Sequence, residues 1–130
     1  PEIVLGVFPP PASVILAEKL GLAKAEELIL TGNAITAEQG KAIGLIADVF
    51  NDKAELETGI INFIEQTILP KSASSLRFGV RACRAKFNHI LTNFLPQLEQ
   101  MYVKELMNTK DANEGINSFL EKRKPVWVNS

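Results

Sequence analysis

A carboxyl group takes and gives protons usefully near neutral pH only where its surroundings hold its pKa up, and Glu2 stands where that can happen. It borders the apolar run Ile3-Val4-Leu5 and precedes the rigid corner Pro9-Pro10-Pro11. Flanks of that kind partly desolvate a carboxyl and raise its pKa toward general acid/base work. Residue type alone equally allows a solvated surface charge, the commoner state of a glutamate. Phe119 and Lys122 are three apart and share a helix face. By spacing alone Phe119 reads as core and Lys122 as a cation complementing a helix C-terminus. Arg77, Arg81 and Arg84 step along one face, open to an anion but more simply a solvated surface. The single Cys83 and single His89 cannot build a zinc site between them, and no metal is expected.

These side chains need elements to hold them. Ile3-Val4-Leu5 reads as the end of a short buried strand, broken at Gly6. Phe8 leads into the prolines, which fix three φ angles and remove three N–H donors, with Pro11 near a helix start. Val14, Ile15, Leu16 and Leu20 predict a short helix over residues 12–20 that Gly21 stops, and a second follows over about 23–30. Thr36-Ala37-Glu38-Gln39 is a capping box opening two helical turns that Gly44 ends. Leu45 to Phe50 reads as the other strand.

Beyond Asn51 the pattern is helical throughout. A helix is expected over residues 55–69, ending at Pro70, and another from Ser72 to about Phe94. The latter carries the stripe Leu76, Val80, Cys83, Phe87, Ile90, Leu91 and Phe94, which puts Cys83 in the core. Pro96 starts a further helix. Thr109 and Asp111 cap the last one, with Ile116, Phe119 and Leu120 as its apolar face. The expectation is an α/β chain, mixed over residues 1–51 and helical over 52–130.

Composition narrows the function. The chain has 130 residues, 46% hydrophobic and 22% charged, with a net charge of −1. It has no basic excess for nucleic acid or an anionic membrane. No apolar run approaches the roughly 18–20 residues that span a bilayer. One cysteine excludes an intramolecular disulfide, and a cytoplasmic place is expected. The opening has no initiator Met and no signal-peptide n-region, and reads as a chain entered in mid-fold.

Three islands stand out: residues 1–9, PEIVLGVFP; Leu30-Thr31-Gly32 with Ile35-Thr36-Ala37-Glu38 and Gly44-Leu45-Ile46; and Asp111 to Ile116 with Phe119 to Pro125. In this order and spacing they resemble the enoyl-CoA hydratase/isomerase, or crotonase, family. The resemblance implies an α/β fold, the β-β-α spiral, of which this chain would be the C-terminal half of a subunit. Residues 1–51 would end the spiral core, and residues 52–130 would form a helical region for trimerisation and CoA contact. It also implies addition of water to a conjugated enoyl- or dienoyl-CoA, the coenzyme A thioester being substrate and no cofactor being needed. Glu2 coincides with the family's P-E-I glutamate, a general acid/base. The other catalytic glutamate and the oxyanion-hole N–H pair would lie in the preceding half. Phe119 and Lys122 would reach the CoA of a neighbouring subunit, a ring for the purine and a cation for the phosphates. The implied partners are the acyl-CoA and further copies of the chain, as a trimer or a dimer of trimers, with neither nucleic acid nor membrane.

One island departs from the family's common pattern. Where most members have P-G-A-G-G-T, this chain has Pro9-Pro10-Pro11-Ala12-Ser13-Val14. Glycine there can offer an N–H to a catalytic water, whereas Pro10 and Pro11 cannot. Phe8, Pro10 and Pro11 would then shape the acyl pocket. This version is similar to the branch of the family that hydrates an alicyclic dienoyl-CoA in anaerobic aromatic degradation. The alternatives are a straight-chain enoyl-CoA hydratase, a double-bond isomerase, or a fragment that assembles but does not catalyse.

Overall fold

A computed structural model describes every residue, Pro1–Ser130. Its helices are α1 (Pro10–Leu20), α2 (Leu22–Thr31), α3 (Ala37–Ala42), α4 (Lys53–Phe63), α5 (Ala73–Lys104) and α6 (Lys110–Leu120). Neither expected strand forms. A strand needs a neighbour for its N–H and C=O groups, and in both places the backbone finds partners locally instead. Glu2–Leu5 is a 3-10 turn, with Val4 N–H donating to Pro1 O at 3.1 Å and Gly6 N–H to Ile3 O at 3.1 Å. Gly6 closes it at φ 71°, a conformation that costs glycine little. In the second place Leu45 N–H donates to Gly40 O at 2.9 Å and Val49 N–H to Asp48 Oδ1 at 2.9 Å, and the segment stays irregular.

The chain forms two compact units, residues 1–35 with 89–130, and residues 36–88. In the first unit α1 packs on α2, and the Glu2–Leu5 turn packs on both α2 and α6. Its buried apolar residues are small: Val7, Val14, Ala25 and Ala112.

In the second unit the capping box forms as read: Thr36 Oγ1 accepts from Gln39 N–H at 3.2 Å and Gln39 Oε1 from Thr36 N–H at 2.8 Å. Asp52 caps α4, accepting from Glu55 N–H at 2.8 Å. The helix continues as a π turn, Ile64–Ile68.

Two expectations about α5 are corrected. It is one helix of 32 residues that contains Pro96, not two helices. Proline removes the N–H that would reach the Thr92 carbonyl. Around it, side-chain amides bond back to the helix: Gln97 Nε2 donates to Asn93 O at 2.9 Å and Asn93 Nδ2 to His89 O at 2.7 Å. Its apolar stripe is also not core. No other helix packs along it, so Cys83 is exposed, as are Val80 and Phe94.

Candidate functional site

Two segments distant in sequence, the end of α2 at Gly32 and α6, meet at the Glu2–Leu5 turn. A Cβ on Gly32, at the end of α2, would stand 3.0 Å from Ile3 Cγ2 and 3.2 Å from Val4 Cγ2. A Cβ on Gly115, in the middle of α6, would overlap the Leu5 carbonyl oxygen and stand 2.5 Å from its carbon. A Cβ on Gly6 would stand 2.9 Å from the Asp111 carbonyl oxygen. Backbone therefore touches backbone, and the turn that carries Glu2 is held between Thr31-Gly32 and α6. This close approach explains the buried face of α6, which is Ala112, Gly115 and Ser118. It corrects the expected face: Phe119 and Leu120 point away from the core, 64% and 70% exposed.

Glu2 itself has a side chain 47% exposed, with Oε2 3.1 Å from the Pro1 ammonium. Its carboxyl is held below the usual range, first by a hydrogen bond from its own backbone N–H. This is opposite to the rise expected from the flanking residues: within these 130 residues, hydrogen bonding to the charged form outweighs desolvation. A carboxyl below its usual range is ionised at neutral pH but is a weaker base than an ordinary glutamate.

Downstream, Phe8 packs its ring edge-on to Tyr102 of α5, with centroids 5.7 Å apart. Pro10 and Pro11 occupy the first two positions of α1, where missing N–H groups cost the helix nothing. Ser13 closes the turn, its N–H and its Oγ each donating to Pro9 O at 2.9 Å. Before Ser13 only Ala12 retains an N–H, so this helix start presents pyrrolidine rings rather than a row of amides.

Phe119 and Lys122 lie at the far end of α6. Phe119 is one helical turn beyond Gly115, a rise of about 6 Å, and Lys122 follows the end of the helix. α6 ends in a Schellman arrangement: Arg123 N–H donates to Ser118 O at 3.0 Å and Lys122 N–H to Phe119 O at 3.2 Å. Lys122 takes the left-handed position at φ 55°, which normally belongs to glycine. Arg77 Nη2 donates to Ser74 Oγ at 3.3 Å and Arg81 stacks over Phe78, both exposed local contacts.

Sequence reading missed the C-terminal segment. Arg123 forks onto both carboxylate oxygens of Glu114, and its Nε reaches Glu121 at 2.5 Å. Glu114 also accepts from Val126 N–H at 2.9 Å, and together these hold its carboxyl at about 2. Asp111 accepts from Val128 N–H at 2.8 Å and Asn129 N–H at 2.7 Å. Acidic residues three apart on α6, followed by a cationic stretch, were the available signal.

Comparison with known proteins agrees with this geometry. The family model for enoyl-CoA hydratase/isomerase matches residues 1–130. The chain is 42% identical over 129 residues to a cyclohexa-1,5-dienecarbonyl-CoA hydratase from Thauera aromatica, covering 99% of this chain and 49% of that protein. It is 32% identical over 126 residues to a 2,3-dehydroadipyl-CoA hydratase from Escherichia coli, covering 96% and 48% respectively. Among solved structures, an enoyl-CoA hydratase from Mycobacterium avium superimposes with a TM-score of 0.81 at 27% identity, over 95% of this chain and 47% of that one. The chain spans about half the length of the curated relatives it matches.

Proposed function

Because the chain belongs to the enoyl-CoA hydratase/isomerase family, we propose that the complete protein adds water to a conjugated enoyl- or dienoyl-CoA thioester, with cyclohexa-1,5-diene-1-carbonyl-CoA as its substrate in anaerobic aromatic degradation. The observation that carries the substrate is the proline corner. Pro10 and Pro11 replace amide donors with rigid apolar rings at the head of α1, beside Phe8, and a flat alicyclic acyl group suits such a wall better than a polar loop would. The greater identity to a cyclohexadienecarbonyl-CoA hydratase than to a dehydroadipyl-CoA hydratase supports the same choice.

Hydration of a conjugated thioester needs a base for the water, a proton donor for carbon, and N–H donors on the thioester oxygen. Glu2, half-exposed on its turn and matching the family's P-E-I glutamate, serves as the base that takes a proton from water. Acid/base catalysis of this kind is worth about 10²–10⁴ in rate. Phe119 and Lys122 stand exposed at the end of α6, free to meet the adenine and phosphates of coenzyme A bound by a neighbouring copy. No metal or cofactor is required by this chemistry. The uncovered apolar residues of α4 and α5, among them Ile60, Phe63, Phe78 and Phe94, supply faces for a homotrimer or a dimer of trimers. No helix is long and apolar enough to cross a membrane, and we assign the protein to the cytoplasm.

The test is hydration by the complete protein of crotonyl-CoA and of the cyclic dienoyl-CoA in parallel. A higher kcat/KM for the cyclic thioester is expected; preference for crotonyl-CoA would overturn the substrate and leave the straight-chain reading. Glu2→Gln should remove hydration while CoA binding persists, and activity within a few-fold of wild type contradicts the role of Glu2. The 130-residue chain by itself should show no turnover.

A further inference from the structure

The segment after α6 is fastened on both sides of Trp127. Val126 N–H donates to Glu114 Oε1 at 2.9 Å, and Val128 N–H and Asn129 N–H donate to the two oxygens of Asp111 at 2.8 and 2.7 Å. Backbone bonds to two carboxylates of one helix leave the intervening residue little freedom. They deliver the indole to the junction between the Glu2–Leu5 turn and α6. A Cβ on Gly6 would lie 3.0 Å from Trp127 Cζ3, and one on Gly115 3.1 Å from Trp127 Cη2. Both glycines lack a side chain, and the indole fills the space beside them.

Apart from α2 at Gly32, the turn has few other restraints. It is a single 3-10 turn without a strand partner, and none of its residues is buried. Its place on α6 rests on the backbone contact at Gly115, the cap at Gly6 and the ring that spans the two. We propose that Trp127 is a positioning residue for Glu2: strapped down by Asp111 and Glu114, its indole fixes the turn on α6 and thereby the direction of the Glu2 carboxylate. The inference rests on the assignment of Glu2 as the acid/base residue. It adds that the C-terminal segment, by way of a residue that touches no reacting atom, sets the rate of proton transfer.

The experiment uses the complete protein and whichever CoA thioester it hydrates faster. Trp127→Ala should lower kcat by about 10- to 100-fold, the loss that a misplacement near 1 Å produces, with KM within about threefold because the CoA contacts at the end of α6 are separate. Trp127→Phe should restore kcat to within a few-fold, since a smaller ring still spans the glycines. Glu2→Asp, itself slowed, should lose little more when Trp127→Ala is added, because both changes displace the same carboxylate. Unchanged kcat in folded Trp127→Ala overturns the proposal, as does a loss carried by KM, or multiplicative losses in the double variant. Should Trp127→Ala fail to accumulate as folded protein, Asp111→Ala replaces it: a smaller fall in kcat at constant KM supports the proposal and unchanged kcat refutes it. Glu2→Gln separates the two ideas. Near-normal activity there removes the role of Glu2, whereas an inactive Glu2→Gln beside a normal Trp127→Ala removes only the strap.

Discussion

Replacing Gly115 by alanine puts one methyl group where the structure has no room. The added Cβ would overlap the Leu5 carbonyl oxygen, stand 2.5 Å from its carbon, and lie 3.1 Å from Trp127 Cη2. Carbon atoms in favourable contact sit about 3.5–4.0 Å apart, so the turn must retreat from α6 by about 1 Å. The obstacle is backbone, which no rotamer change can move aside. Overpacking of this kind costs about 1–3 kcal/mol, and the upper end fits a rigid obstacle. Alanine in mid-helix returns about 1 kcal/mol of helix propensity over glycine. The net loss is then about 2 kcal/mol, or roughly 4–8 °C in Tm for a subunit of the relatives' length. Thermal unfolding of the complete protein measures it, with Gly79→Ala as comparison. A Cβ on Gly79 meets nothing within 4 Å, so that variant gains the propensity and pays no clash. Activity should fall with stability in Gly115→Ala, because the retreating turn carries Glu2. A Tm equal to or above wild type for Gly115→Ala would show that turn and helix are not in the contact described.

Lys122→Gly should relieve the left-handed backbone at φ 55° and raise stability by up to about 1 kcal/mol, while weakening CoA thioester binding. Melting temperature and KM should therefore both rise; a lower melting temperature would refute the strain. Glu114 gives a pH test. Its carboxyl, held at about 2 against an ordinary 4.5, contributes stability that is full above about pH 4.5 and fades as pH falls toward 2. The stability difference between wild type and Glu114→Gln should accordingly be constant near neutral pH and shrink across that acid window. A gap independent of pH would mean that the pair with Arg123 contributes nothing through ionisation.

Local chemistry made much of the fold readable. The Thr36 capping box, the Thr109 cap, the prolines at the head of α1 and the stop at Gly21 each depend on residues a few positions apart. Errors arose where a distant partner decides. Ile3-Val4-Leu5 is β-branched and apolar, but strand formation needs a pairing edge, and this chain supplies none, so the segment closes on itself. Pro96 carries a stop signal, yet α5 runs through it as one helix. The periodicity of α6 favoured its large apolar residues for burial, whereas contact with a backbone carbonyl selected Ala112, Gly115 and Ser118. The direction of the shift at Glu2 also depended on cover that flanking residues alone do not provide.

By itself the sequence determined the family, because three islands in order and spacing are carried by residue identity, and it placed the candidate carboxylate, the proline wall and the cation of Lys122 along the chain. Only the tertiary structure showed that Gly32 and α6 converge on the Glu2–Leu5 turn. Gly32, Gly6 and Gly115 matter because a Cβ at each would strike another segment, a fact that no local spacing encodes. The strap that brings Trp127 over the turn is likewise a matter of long-range geometry, since the carboxylates of Asp111 and Glu114 find their amide partners twelve or more residues away.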